Sequence, residues 1–223
     1  AVAELLKGGT YLYGESLPQG ITVNNPVMTG NYLNVGSYTM ASGGNSNLAD
    51  LGYSSGVTVT ARPITITANS GQTKVYGESD PVLTYTKEAN GTGRGLMDGD
   101  VFTGALSRGP GENVGNSYAI TQGTLANGNY TITFNGANFA IMPRPINITV
   151  NSGQSKVYGN ADPALTYTLE ANSAGRGLVN GDTFSGALAR AAGANVGNSY
   201  AITQGTLANS NYSINFTGGN FAV

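Results

Sequence analysis

Arg62-Pro63-Ile64-Thr65-Ile66-Thr67 and Arg144-Pro145-Ile146-Asn147-Ile148-Thr149 open two stretches that then run in step to their ends. Residues 62–141 and 144–223 align at a shift of 82 positions without a gap, and 57 of the 80 aligned residues are identical. In both hexapeptides Ile alternates with Thr or Asn. That period of two puts apolar side chains on one face of a strand and polar ones on the other. A strict period of this length marks a tandem array of modules, so fold and function are read per module.

The same alternation recurs along each copy. Leu83-Thr84-Tyr85-Thr86, Tyr118-Ala119-Ile120-Thr121 and Tyr130-Thr131-Ile132-Thr133-Phe134 have counterparts at Leu165-Thr166-Tyr167-Thr168, Tyr200-Ala201-Ile202-Thr203 and Tyr212-Ser213-Ile214-Asn215-Phe216. β-Branched and aromatic residues dominate these runs, as strands favour. The one candidate for a helical turn is Arg94-Gly95-Leu96-Met97-Asp98, kept short by its glycines. Turn chemistry separates the strands: Tyr76-Gly77 and Asp80-Pro81 in one copy, Tyr158-Gly159 and Asp162-Pro163 in the other. An Asp before Pro favours a turn, its carboxylate bonding backbone N–H groups while Pro fixes φ. Asn127-Gly128, between two alternating runs, is a candidate tight hairpin; its counterpart Asn209-Ser210 suits positive φ less well.

The module boundaries are Ala61-Arg62-Pro63 and Met142-Pro143-Arg144-Pro145. About five residues between strands, with prolines among them, predict a stiff and extended connection. This gives three modules, 1–61, 62–143 and 144–223. The first is diverged: Tyr13-Gly14-Glu15-Ser16 echoes Tyr76-Gly77-Glu78-Ser79, and Asn34-Val35-Gly36-Ser37-Tyr38 echoes the segment from Asn113 to Tyr118, but a central segment is missing. The expected architecture is mainly β, with small β-modules (β-grasp-like or Ig-like sandwiches) set end to end as a rod. Modules of about 30 Å each would make it about 80–100 Å long.

Composition narrows the function classes. Charged residues are 10% of the chain, glycines number 34 and the net charge is −2, which argues against the basic face nucleic acids require. Cys, His and Trp are all absent. The commonest general base, the commonest transition-metal ligand and thiolate chemistry go with them. No 18-residue apolar stretch exists for a helical membrane span. Ala1-Val2-Ala3-Glu4-Leu5-Leu6-Lys7 is too short an apolar run for a signal peptide. With no initiator Met, the chain reads as a piece or processed product of something longer.

The ordered motifs Arg-Pro-Ile-x-Ile-Thr, Lys-Val-Tyr-Gly-x-x-Asp-Pro, Gly-Leu-x-x-Gly-Asp-x-Phe-x-Gly-x-Leu, Asn-Val-Gly-x-x-Tyr and Asn-Tyr-x-Ile-x-Phe, with a closing Phe-Ala-(Ile/Val), resemble the MBG repeat of the Tyr-Gly-x type. The resemblance covers residues 62–223 well and 1–61 loosely, where the Tyr-Asp-Gly type of stalk repeat matches equally. Such repeats occur in large bacterial surface adhesins and filamentous-haemagglutinin-like exoproteins. The resemblance implies small β-modules arrayed as a stalk, and it carries no catalytic residue to transfer.

Candidate chemistry is weighed copy against copy. Asp98-Gly99-Asp100 with Glu78, Asp80, Glu88 and Glu112 suggests Ca²⁺, but Asp98, Glu78 and Glu112 become Asn180, Asn160 and Ala194. The recurring Asp80/Asp162, Glu88/Glu170 and Asp100/Asp182 are therefore read as caps on backbone N–H groups, and Arg94/Arg176 and Arg108/Arg190 as their ion-pair partners. A Lys–Asn isopeptide bond at Lys74/Lys156 would need Glu88/Glu170 buried beside it. Gly91-Thr92-Gly93-Arg94-Gly95 lacks the Lys-Ser/Thr and helix of a phosphate loop. The 13 tyrosines lie mostly on the apolar faces. No cofactor and no metal is expected.

The first functional expectation is a non-catalytic stalk of an extracellular, bacterial cell-surface adhesin or matrix protein, partnered by its own neighbouring repeats. The alternatives are a self-assembling surface fibre using strand exchange with other copies, and a module binding glycan or extracellular polysaccharide. No nucleic acid and no membrane insertion is expected of this segment.

Overall fold

The computed structural model describes residues 9–17, 23–39 and 56–223; the start from Ala1 to Lys7 lies outside them. The described chain is all-β, with no helix. The first module contributes β1 (Thr10–Leu12), β2 (Met28–Thr29), β3 (Tyr32–Leu33), β4 (Gly36–Thr39) and β5 (Gly56–Thr60). The first copy contributes β6 (Arg62–Ala68), β7 (Thr73–Val75), β8 (Tyr85–Lys87), β9 (Ser107–Arg108), β10 (Gly115–Thr121), β11 (Tyr130–Asn135) and β12 (Ala137–Met142). The second has β13 (Arg144–Val150), β14 (Tyr167–Leu169), β15 (Ala189–Arg190), β16 (Tyr200–Thr203), β17 (Tyr212–Thr217) and β18 (Gly219–Phe221).

The chain forms two compact units, and their limits do not follow the repeat. One unit comprises residues 1–70, 83–109 and 119–137; the other comprises 71–82, 110–118 and 138–223. In the first, β5 is the middle strand of β1-β5-β4, parallel to β1 and antiparallel to β4. β6 is the middle strand of β11-β6-β8, with Ile64 opposite Ile132 and Ile66 opposite Phe134. The core of this unit joins Tyr13, Leu33, Val57 and Val59 of the first module to Ile64, Met97 and Tyr130 of the first copy.

In the second unit β13 is the middle strand of β14-β13-β17, parallel to β17. A second sheet, β15-β16-β18, is antiparallel throughout. Val150, Ile202 and Phe221 from the two sheets share one cluster, and Ile146, Ile148, Leu207 and Tyr212 share another. The alternation read from sequence is realised in β13, where Arg144, Ile146, Ile148 and Val150 are buried and Pro145 and Thr149 are exposed. Full burial of Ile146 and Ile148 contributes about 1.5–3 kcal/mol each.

Three local expectations are corrected. Residues 94–98 form no helical turn: Gly91 and Arg94 make an isolated bridge, and Gly95 follows at φ 83°. Asn127-Gly128 does make a turn, Tyr130 N donating to Asn127 O at 3.0 Å, but it joins no hairpin, because β11 pairs with β6 instead. Asn127 Oδ1 accepts from Asn129 N at 2.9 Å, an Asx-turn that needs no positive φ at Gly128. Ser210 therefore serves as well. Finally, the inter-strand connections are single residues, Ala61 and Pro143, rather than about five.

Pro63 and Pro145 lie inside β6 and β13. Proline lacks the ladder donor and needs a position where none is required. Arg62 N donates toward β11, to Asn129 O at 2.9 Å, so the next residue faces the opposite side. There β8 pairs only from Ile66 onward, and Pro63 O accepts from Gly95 N at 2.9 Å.

Candidate functional site

The polar groups buried deepest are the two junction arginines. Arg62 is 3% exposed and Arg144 1%. A guanidinium keeps its charge when buried and presents five donors in a fixed plane, so its environment must supply oxygens all round. For Arg62, Nε donates to Gly95 O at 2.9 Å and Nη1 to Tyr13 O at 3.3 Å. Nη2 meets Asn90 Oδ1, Gly91 O and Arg94 O at 2.9, 2.6 and 2.8 Å. The glycine-rich loop thus turns carbonyls toward a cation, the reverse of a phosphate cradle.

Arg144 repeats the arrangement in the other unit. Its Nε reaches Gly177 O at 2.9 Å, and Nη2 reaches Asn172 Oδ1, Ser173 O and Arg176 O at 2.6, 2.5 and 2.9 Å. Nη1 donates to Tyr76 O at 2.9 Å and to Glu78 Oε1 at 2.8 Å. Glu78 also accepts from Gly175 N at 2.9 Å. Its carboxyl is held below the ordinary value first by Arg144 and then by that backbone donor.

Each arginine therefore grips the Tyr-Gly turn of the module before it, and the tyrosine of that turn enters a second shared site. Tyr13 Oη donates to Asp100 Oδ1 at 3.1 Å, and Tyr130 Oη to Asp100 Oδ2 at 2.5 Å. In the other unit Tyr76 and Tyr212 donate to the two oxygens of Asp182 at 3.2 and 2.5 Å. The rings meet edge to face at 5.4 and 5.6 Å, a favoured aromatic geometry. A third contact comes from the Asn-Val loops. Val35 N donates to Asn129 Oδ1 at 2.9 Å and Asn129 Nδ2 to Asn34 Oδ1 at 3.1 Å. Val114, Asn113 and Asn211 repeat this at 2.9 and 3.1 Å. Each junction thus joins a projecting side of the preceding module (Tyr-Gly turn and Asn-Val loop), its donor side, to a receiving side of the following module (Arg, Asp and Asn-Tyr), its acceptor side, with hydrogen bonds donated in both directions.

Of the residues singled out from sequence, Tyr76, Gly77 and Arg144 come together in one junction, and Arg62 sits in the other with Tyr13. Pro63, Pro145, Pro81, Pro163 and Pro143 are exposed, as are Tyr158 and Gly159. Asp80 pairs with Lys74 Nζ at 2.7 Å. Asp162 was expected to cap backbone N–H groups. Instead it takes Arg190 Nε and Nη2 at 2.6 and 2.9 Å and Lys156 Nζ at 2.7 Å. Glu88 and Glu170 do accept backbone donors, from Thr65 N at 2.8 Å and Asn147 N at 2.9 Å, and each pairs with its arginine, Arg94 or Arg176. Lys156 and Glu170 have different partners, so the arrangement an isopeptide bond needs is not formed. Among the described residues no group of three His, Cys, Asp or Glu is placed to hold a metal ion, and no helix is long and apolar enough to cross a membrane.

Asp100/Asp182, Asn129/Asn211 and Tyr130/Tyr212 were not singled out from sequence as contacts between modules, nor Asn90/Asn172 as partners of the junction arginine within the same module. Each is retained in both copies, but so are the residues of a module's own core, so retention alone did not mark them.

The junction tyrosines predict that the junctions are alkali-sensitive. Tyr212 is pushed up to about 12 from the ordinary 10.0 by burial and then by its bond to Asp182. Tyr13 is also pushed to about 12, by burial and then by Asp100, and Tyr130 and Tyr76 shift the same way. Above the ordinary phenol value the unfolded chain binds fewer protons than the folded one, so stability falls as pH rises. Denaturation midpoints should hold steady up to about pH 10 and decline toward pH 12. Tyr76→Phe should shallow that decline in a pH series of urea melts.

The family model of the MBG domain (YGX type) matches residues 64–140 and 146–222. No curated protein and no solved structure matches the chain.

Proposed function

The chain belongs to the MBG domain (YGX type) family, and from that premise we propose that it is a non-catalytic spacer: stalk repeats of an extracellular bacterial surface protein, an adhesin or matrix component. Membership makes the two copies repeats of a kind suggestive of surface proteins. The observation that supports the spacer reading is the junction, built twice with the same parts. A spacer works by fixing how one module follows the next, and buried, directional hydrogen bonds at Arg62 and Arg144 suit that task better than a flexible tether would. Glycan binding is less well supported, because Tyr13, Tyr76, Tyr130 and Tyr212 are spent inside the junctions. Small-angle scattering of the whole chain tests the reading. Profiles fitted by a single stiff particle are expected, and an ensemble of independently tumbling modules would overturn it.

A further inference from the structure

The second copy carries a complete donor side that nothing in the described chain covers. Val157 is 72% exposed, Tyr158 65% and Val196 79%. These are the counterparts of Val75, Tyr76 and Val114, and Tyr76 packs into a core. The turn is already in its docking form. Asn160 N donates to Val157 O at 3.1 Å, as Glu78 N does to Val75 O at 3.1 Å and Glu15 N to Leu12 O at 3.0 Å. The loop is also preformed: Tyr200 Oη holds Asn195 O at 2.7 Å, as Tyr118 holds Asn113 O at 2.6 Å and Tyr38 holds Asn34 O at 2.9 Å.

The glycine of the turn reports the same difference. Gly14, Gly77 and Gly159 lie at φ 88°, 79° and 88°. A Cβ on Gly14 would stand 2.5 Å from Met97 Sδ, and one on Gly77 would stand 2.5 Å from Val179 Cγ2. On Gly159 it would meet nothing within 4 Å. The first two glycines admit a partner's side chain against the backbone, and the third leaves the same space open.

We propose that the face made by Val157, Tyr158, Gly159, Asn160, Asn195 and Val196 docks a further module of this family through an acceptor side like those of Arg62 and Arg144. That occupant would bring an arginine at the start of its first strand, an aspartate for the Tyr158 hydroxyl, and an asparagine for the Asn195-Val196 loop. A second copy of this chain is disfavoured as occupant, because both of its acceptor sides are filled, by Tyr13 and Tyr76. Asn160 stands where Glu78 meets Arg144, so the incoming guanidinium meets an amide oxygen rather than a carboxylate. The proposal rests on the spacer reading and adds which surface continues the array and what recognises it.

Fusing a third copy, residues 142–223 with its own Tyr158→Phe so that its peptide differs in mass, directly after Val223 of the full chain tests it by nitration of the original Tyr158, read by peptide mass spectrometry. Nitration should slow at least about tenfold relative to the unextended chain, since a covered site reacts only through local opening. Val196→Asp in the extended chain should restore the rate. An unchanged rate with the third copy folded overturns the proposal. So does a third copy that fails to fold, because the same sequence folds behind the Tyr76 face. Independent tumbling in scattering with Tyr158 protected would sink the spacer reading alone. Single-particle scattering with Tyr158 reactive would sink the docking face alone.

Discussion

Arg144→Met should destabilise the residue 138–223 part of the chain by about 3–5 kcal/mol, the usual cost of breaking a buried, hydrogen-bonded charge network from one side. The side chain is 1% exposed, and its loss strands the carbonyls of Gly177, Tyr76, Ser173 and Arg176 together with Asn172 Oδ1 and the Glu78 carboxylate. Methionine fills much of the volume, so the loss reads out polar contacts more than a cavity. Arg144→Lys should recover only a minority of it, because one ammonium cannot span acceptors spread around a planar fork. Glu78→Ala should cost less, since that carboxylate is partly exposed and one acceptor among six. Urea melts measure the sum. Amide exchange at Gly177, whose N donates to Pro145 O at 2.9 Å, localises it. A loss within about 0.5 kcal/mol, as at an ordinary surface site, would show the guanidinium to be a spectator.

That arginine also shows where a sequence stops being readable. Strands were legible because their signal is local: Ile146-Asn147-Ile148-Thr149 alternates within four residues, and the burial of β13 follows it. The partner of a strand is not local. β6 pairs in parallel with β11, residue 62 with 130, and nothing near Asn127-Gly128 distinguishes that pairing from a hairpin. Arg-Pro looked like a linker because proline dominates the local reading, whereas the arginine's role is set by oxygens 28–68 positions away. Identity between copies could not help, since residues retained for a module's own core and for gripping its neighbour are retained alike. The shortened first module is the most telling case. Its β1-β5-β4 sheet carries the donor turn and loop, and its described residues include no counterpart of the β11-β6-β8 sheet, on which the acceptor is built. What read as a missing centre is a module with a donor side and no described acceptor side.

One residue type at three equivalent places gives the second large expected effect. Tyr13→Ala should cost about 3–5 kcal/mol, as truncating a buried aromatic does. Its ring is 0% exposed, stands edge to face with Tyr130 at 5.4 Å and with Tyr32 at 6.4 Å, and its hydroxyl is one of two on Asp100. Truncation empties the centre of the cluster that joins Val57 and Val59 to Ile64 and Met97. Tyr76→Ala should cost less than Tyr13→Ala because that ring is only partly buried, yet it still loses its contact with Tyr212 and its bond to Asp182. Tyr158→Ala should change stability by no more than about 0.5 kcal/mol, the ring being 65% exposed. Tyr13→Phe separates packing from polarity: it keeps the ring and forfeits the Asp100 bond, a loss of about 0.5–1.5 kcal/mol. The descending order Tyr13, Tyr76, Tyr158 in urea melts is what distinguishes a docked turn from a turn that merely shapes its own module. Equal losses at all three would mean the tyrosine acts within the module, and the junction would then have to rest on the arginines alone.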